Sequence, residues 1–203
     1  LNFMLRGLPF IYQGQELGME NVKFESIDQV DDISSLDEYK VALEAGCTPE
    51  EALKAVSRFS RDNARTPMQW TDGENAGFTT GTPWISVNEN YKKINAAAQI
   101  NDPESVFSYY KRLIELRHQM EIIVYGVYES KVIEHPDVFA YTRTLGEEKL
   151  FVVCNFREQE MDFALEDGFT GEEDVLISNY KDVVKTEHGI HLRPYEAKVF
   201  YRK

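Results

Sequence analysis

The sequence predicts an α+β chain in two parts, a helical and loop-rich part over residues 1–119 and an all-β antiparallel sandwich over residues 120–203. Three observations carry that reading. Before residue 120 the apolar residues recur at helical spacing, as in Ala52, Leu53, Val56 and Phe59 or in Val106, Tyr110, Leu113 and Leu116. After residue 120 the apolar period falls to two, the period of half-buried strands. Gly, Asn, Asp and Pro punctuate this second part at the spacing of a sandwich.

The first element is Leu8-Pro-Phe-Ile-Tyr12, flanked by Gly7 and Gly14. It is short and continuously apolar, which predicts a strand buried on both faces, as in a parallel sheet. No strand neighbour follows within the next hundred residues, so its edges are expected to be unpaired. Ser35 to Ala45 then sets Leu36, Tyr39 and Leu43 on one helical face and ends at Gly46, a natural C′ residue. Thr48-Pro-Glu-Glu51 starts a second helix, with Thr48 as N-cap, Pro49 at the first position and Glu51 completing a capping box. Together these two read as a helical hairpin. Residues 61–100 are rich in Asn, Gly, Thr, Pro and Trp with little periodicity, a loop long enough to carry function. Asp102-Pro-Glu opens a strong helix. The predicted strands are Ile123–Glu129, Val138–Thr144, Lys149–Asn155, Glu160–Phe163, Asp174–Ser178 and Ala197–Tyr201, with Leu145–Glu148 as a hairpin turn.

Charge narrows the function classes. A formal net charge of −13 argues against nucleic acid, whose phosphates need a basic surface, and against anionic membranes. It suits an acidic surface that keeps an enzyme in solution. No apolar run approaches the roughly 20 residues of a membrane helix. The chain opens at Leu1 without a basic region and apolar core, so no signal peptide is expected, and a start inside a longer protein is. Cys47 and Cys154 lie far apart, which fits a reducing, cytoplasmic compartment better than a disulfide framework.

Three segments resemble one family. They are Gly7-Leu-Pro-Phe-Ile-Tyr-Gln-Gly-Gln-Glu-Leu-Gly18, then Arg61-Asp-Asn-Ala-Arg-Thr-Pro-Met-Gln-Trp70 with Ala76–Gly81 and Pro83-Trp84, then Asn88–Tyr91 with Ile94-Asn95. In order and spacing they resemble oligo-1,6-glucosidases of glycoside hydrolase family 13, the α-amylase family. The ten-residue arginine motif is the most specific of them. The resemblance implies that residues 8–14 are the last strand of a TIM (β/α)8 barrel, followed by a helical insertion and, at 103–118, the last barrel helix. Residues 120–203 are then the C-terminal β-sandwich domain. A full barrel takes about 250 residues, so its first seven strands are expected outside this chain.

The resemblance also sets the expected chemistry. Retaining glycosidases use a carboxylate nucleophile and a carboxylic acid/base about 5 Å apart. The family draws these, and a third aspartate in an Asn-His-Asp motif, from earlier strands, and none of those motifs occurs in this sequence. No catalytic residue is therefore expected here, and the chain by itself is expected to be inactive. The implied parent hydrolyses short α-glucosides from the non-reducing end, with α-1,6-linked isomalto-oligosaccharides as substrate, no cofactor and no metal. Arg65 is the residue expected to hold the terminal glucose, since a guanidinium offers a rigid fork of donors that never loses its charge. Gln13, Glu16 and Asp62 are further substrate-binding candidates. Asp62 is expected chiefly to brace Arg61 or Arg65, Asn63 to bond backbone, and Trp70, Trp84 and Tyr91 to pack inside the loop, with stacking on sugar as their alternative role. A catalytic pairing of Glu16 with Asp62 has nothing in their spacing to demand it.

Other features are weaker. His188-Gly-Ile-His191 has metal-like spacing but no third ligand nearby. Asp31-Asp32 and Glu172-Glu-Asp174 read as solvated acidic clusters, without the alternating oxygens of a calcium loop. Within the family, trehalose-6-phosphate hydrolase and dextran glucosidase are the alternative parents. A non-catalytic carbohydrate-binding or structural sandwich module is the alternative of another class. The unpaired segment 8–14 is expected to promote self-association.

Overall fold

The computed structural model describes residues 1–132, 135–165, 169 and 174–203. By packing, the chain divides into two compact units, Ile11–Tyr110 and the pair Leu1–Phe10 with Lys111–Lys203.

The first unit holds α1 (Ile33–Glu44), α2 (Pro49–Phe59), α3 (Ala96–Gln99) and the start of α4 (Val106–Gln119). α1 ends as its sequence dictates. Gly46 takes φ 95°, Cys47 N–H donates to Ala42 O at 3.0 Å and Gly46 N–H to Leu43 O at 3.0 Å, a Schellman closure. The capping box of α2 is present, with Glu51 N–H on Thr48 Oγ1 at 3.2 Å and Thr48 N–H on Glu51 Oε2 at 2.9 Å. α1 and α2 pack on each other. Leu36 and Leu53 cover a small core of Val22, Phe24 and Val30. A second core gathers Leu17, Met68 and Ala96 against Met19, Ile94 and Phe107. Phe59 departs from the expected apolar face and is exposed, with the Arg58 guanidinium carbon 5.3 Å from its ring centroid. α4 starts at Val106 rather than at Asp102, because Ser105 is its cap and accepts from Ser108 N–H at 3.1 Å.

The second unit holds the rest of α4, α5 (Glu121–Tyr125) and β1 (Val127–Ser130), β2 (Val138–Leu145), β3 (Glu148–Asn155), β4 (Met161–Ala164), β5 (Val175–Ser178), β6 (Val184–Lys185), β7 (Gly189–Leu192) and β8 (Ala197–Arg202). One sheet runs β1-β2-β3-β8-β5 and the other β4-β7-β6. Every described ladder is antiparallel. Val138, Ala140, Phe151, Val153 and Phe200 of the larger sheet share a core with Ile190 and Leu192 of the smaller one. Phe151 is its centre, with ring centroids of Phe169, Phe200 and Phe163 at 5.9, 6.1 and 6.2 Å. The alternate residues of β3, Leu150, Val152 and Cys154, are buried too, since α5 packs on β2 and β3. The chain therefore ends in the expected antiparallel two-sheet domain.

Two elements differ from expectation. Residues 8–12 form no strand, and Leu8 and Phe10 are 77% and 89% exposed. A parallel strand satisfies its amides only on neighbouring strands, and the described residues offer it none. Residues 121–125 are helical where a strand over Ile123–Glu129 is expected. The unbroken apolar run Ile122-Ile-Val-Tyr125 carries no period, and as a helical turn it buries Ile122 and Ile123 completely. β6 and β7 are additional strands, short and flanked by charge. The acidic pair Glu172-Glu173 lies outside the described residues. No described helix is long and apolar enough to cross a membrane.

Candidate functional site

The candidate site lies wholly in the unit Ile11–Tyr110. Its first component is the turn Tyr12–Gly18. Gly14 takes φ 90°, and a Cβ there would stand 2.6 Å from Met19 Sδ, so only glycine fits. Tyr12 N–H donates to Gln15 Oε1 at 3.0 Å and Gly14 N–H to Glu16 Oε2 at 2.9 Å. Leu17 pins the turn into the core. Glu16 thus shapes the turn, and Gln13 is left exposed. The Tyr110 phenol is raised by burial, with the Glu16 carboxylate adding to it.

The second component is the arginine motif. Ser60 Oγ accepts from Asp62 N–H at 3.2 Å and starts a short 3-10 turn, Arg61–Ala64. The turn directs Asp62 inward, where it is fully buried. Its Oδ2 accepts from Asp31 N–H at 2.8 Å and Asp32 N–H at 3.0 Å, and its Oδ1 from Arg65 Nη2 at 2.7 Å. Asp32 accepts from Arg61 Nε at 2.8 Å, Arg61 Nη2 at 2.5 Å and Ser35 Oγ at 2.8 Å. Its Oδ1 also lies 3.6 Å from Arg65 Nη2. The Arg61 hydrogen bond outweighs burial and holds the Asp32 carboxyl below the usual carboxylate range. Two buried carboxylates therefore carry two arginines, in line with the rule that buried charge persists only when paired.

Arg61 is the more exposed arginine, at 66%, but commits Nε and Nη2 to Asp32, whereas Arg65 commits fewer donors. The Arg65 side chain is 41% exposed, and Nη2 is its one side-chain nitrogen with a hydrogen bond among the described residues. A small cleft is lined by Gln13, Gly14, Asn63, Ala64 and Thr66 among others, with the Arg65 side chain outside its lining. Tyr12 Oη donates to Ala64 O at 2.7 Å and ties the two components together. The arrangement offers fixed donors around a groove, suited to hydroxyl-rich ligands.

The sequence-predicted residues divide accordingly. Arg65 and Asp62 meet directly, and Gln13 lines the cleft. Glu16 is engaged with its own turn, and no hydrogen bond or ion pair joins Glu16 to Asp62. Asn63 bonds backbone on both sides, accepting from Val22 N–H at 3.1 Å and donating to Ser57 O at 2.7 Å. Asp32 is the residue that sequence reasoning missed. It is buried and ion-paired, not solvated, and stands at the N-cap position of α1, where Ser35 Oγ donates to it. Trp70 and Trp84 do not pack inside the loop, being 49% and 61% exposed. Loop shape comes instead from polar side chains. Asn88 Nδ2 donates to Glu20 O and Asn21 O, Asn95 caps α3, and buried Gln69 Nε2 donates to Asn90 Oδ1 and Ile94 O.

The histidines lie in the other unit. His188 is exposed, whereas His191 spans β4, with Nδ1 2.8 Å from Asp162 Oδ1 and Nε2 3.3 Å from Glu160 Oε2. Among the described residues no group of three or more His, Cys, Asp or Glu side chains is placed to hold a metal ion.

Comparison with known proteins agrees over the whole chain. The family model described as the α-amylase catalytic domain matches residues 1–126, and that of the α-amylase SusG C-terminal domain matches 138–199. The oligo-1,6-glucosidase of Parageobacillus thermoglucosidasius is 52% identical over 201 residues, 97% of this chain and 36% of that protein. The trehalose-6-phosphate hydrolase of Bacillus subtilis is 42% identical over 200 residues, 97% of this chain and 36% of that protein. The crystal structure of Bacillus licheniformis trehalose-6-phosphate hydrolase superposes with a TM-score of 0.90 at 44% identity, covering 98% of this chain and 36% of that one. A mutant isomaltulose synthase from Erwinia rhapontici, solved with its natural substrate sucrose, gives a TM-score of 0.86 at 42% identity, again over 98% of this chain and 36% of that one. The chain thus spans about a third of the length of the relatives it matches.

Proposed function

Because the chain belongs to the α-amylase family, we propose that it is the carboxy-terminal part of a retaining α-glucosidase acting on short α-glucosides, with α-1,6-linked isomalto-oligosaccharides as substrate. Residues 1–119 are then the end of the (β/α)8 catalytic barrel and residues 120–203 its C-terminal sandwich. The ranges matched by the two family models, 1–126 and 138–199, support that division.

One observation carries the assignment. Arg65, in the most specific motif of the sequence, is held by buried Asp62 and keeps the rest of its guanidinium open. In this reading it binds the terminal glucose, with Gln13 at the cleft wall and Asp62 as its support. Glu16 keeps the wall in shape. The catalytic carboxylates belong to the rest of the protein, no cofactor or metal is required, and the chain alone does not hydrolyse glucosides.

The relatives support oligo-1,6-glucosidase as the first reading, with identities of 52% and 50% for two such enzymes. A second reading, trehalose-6-phosphate hydrolysis, is favoured by the 0.90 TM-score and 44% identity to an enzyme of that name. Steady-state kinetics of the complete protein on isomaltose and on trehalose 6-phosphate separates them. A higher kcat/KM on isomaltose is expected, and preference for the phosphosugar replaces the first reading with the second.

Two further assignments belong here. Cys47 and Cys154 are both free, which supports a cytoplasmic protein. The exposed Leu8 and Phe10 support self-association of the isolated chain through residues 8–14, since exposed apolar side chains gain by burial against a partner. Sedimentation of the purified chain is expected to show dimers that dissociate when Phe10 is replaced by Asp.

A further inference from the structure

The loop from Trp70 to Ile85 is rigid by its own bonding. Asn75, Ala76 and Gly77 take left-handed φ values of 50°, 56° and 67°, and Ala76 is fully buried. Non-glycine backbone in that region is held at a cost and persists where its surroundings over-determine it. Here Trp70 N–H and Thr71 N–H both donate to Ala76 O, at 2.9 and 3.0 Å. Asn75 Nδ2 donates to Thr79 O and Gly81 O, and Ala97 N–H donates to Trp70 O. Pro83 and buried Ile85 then bracket Trp84.

Such a loop could bury its aromatic rings, yet Trp84 is left 61% exposed. A large ring left in water forgoes the gain of burial. The Arg65 guanidinium carbon lies 6.0 Å from the Trp84 ring centroid, about the span of one pyranose ring. The guanidinium lies over the ring, so the exposed part of the indole and the Arg65 donors without a described partner border one surface. A pyranose has the matching chemistry, with C–H faces for the indole and rim hydroxyls for the donors. An anionic ligand is disfavoured by the −13 charge of the chain.

We infer that Trp84 is a stacking platform for the second sugar ring of the substrate, the one that follows the terminal glucose held by Arg65. The placement of that glucose rests on the function proposed above. Loop strain has a role in this account, because it fixes the indole before sugar arrives and lowers the ordering cost of binding.

The chain has two tryptophans, so Trp70→Phe leaves Trp84 as the sole indole reporter. Titrating that variant with isomaltose is expected to give a saturable change in indole emission, with glucose binding about tenfold more weakly. By calorimetry on the 203-residue chain, Trp84→Ala is expected to weaken isomaltose binding about tenfold, and Trp84→Phe, which keeps a ring, about threefold. Far-UV circular dichroism identifies any variant that fails to fold, and Trp84→Phe remains the decisive variant if Trp84→Ala does. No saturable response in the reporter variant overturns the inference, as does unchanged isomaltose affinity in Trp84→Ala. Arg65→Lys separates the two ideas. If it abolishes binding of both sugars while Trp84→Ala changes neither, the Arg65 assignment stands and the platform falls. If Trp84→Ala weakens isomaltose and Arg65→Lys does nothing, the platform stands and the Arg65 assignment falls.

Discussion

Arg65 and Asp62 are joined by a 2.7 Å ion pair in which the carboxylate is fully buried and the guanidinium is 41% exposed. The asymmetry means that Asp62 serves the fold while Arg65 faces outward. Asp62 also terminates the amides of Asp31 and Asp32. Asp62→Ala therefore orphans two N–H groups and removes the partner of a half-exposed arginine, and is expected to cost about 1–3 kcal/mol. Urea unfolding checks this, with the variant losing stability and Arg65→Ala losing far less.

Arg117 gathers the carbonyls of Phe3, Leu5 and Gly7, the first two at 2.8 Å. A single guanidinium thereby fixes the segment that leads to residues 8–12. Arg117→Ala is expected to cost about 1–3 kcal/mol through unsatisfied carbonyls. Hydrogen exchange is expected to rise across residues 1–8 and to stay slow in β2 and β3. Uniform exchange changes across the sandwich contradict this.

Much of this was readable in the sequence, and the exceptions have physical causes. The Thr48–Glu51 capping box, the Gly46 helix end and the 145–148 hairpin are local, set by side chains within a few residues. Residues 8–12 form no strand because a buried parallel strand depends on partners that the described residues do not supply. The helix at 121–125 was missed because four consecutive apolar residues show no period. In the site, Asn63 and Asp62 follow from the local turn. Asp32 does not, since its burial depends on Arg61, twenty-nine residues away. The exposure of Trp84 is likewise set by loop geometry that composition does not encode.

Glu196 is fully buried with Lys198, which is also fully buried and bonds its Oε1. Arg193 adds a bond to Oε1 at 2.9 Å. Burial alone raises the Glu196 carboxyl, but Arg193 and Lys198 outweigh it and pull it down to about 2. A depressed carboxyl contributes its full stability above its unfolded value of 4.5, and that stability is lost as pH falls through the folded value. The sandwich is expected to weaken between pH 4.5 and about 2. Glu196→Gln is expected to flatten that pH dependence while lowering stability at pH 7, read by thermal unfolding across pH.

His191 behaves in the opposite sense. The hydrogen bond to Asp162 raises it above 6.5, with Glu160 adding to this against burial. A raised histidine contributes fully below its unfolded value of 6.5 and loses the contribution as pH rises through the folded one. NMR titration is expected to place His191 above 6.5, and Asp162→Asn to bring it back toward that value. An unshifted His191 in the intact chain removes the cross-strand tie.

The central claim is that this chain supplies a wall of the sugar pocket and none of the catalytic carboxylates. Turnover of a nitrophenyl α-glucoside by the purified 203-residue chain tests it most directly. The account predicts hydrolysis no faster than buffer alone. Hydrolysis that copurifies with the chain and disappears in Glu16→Gln or Asp62→Asn would contradict it.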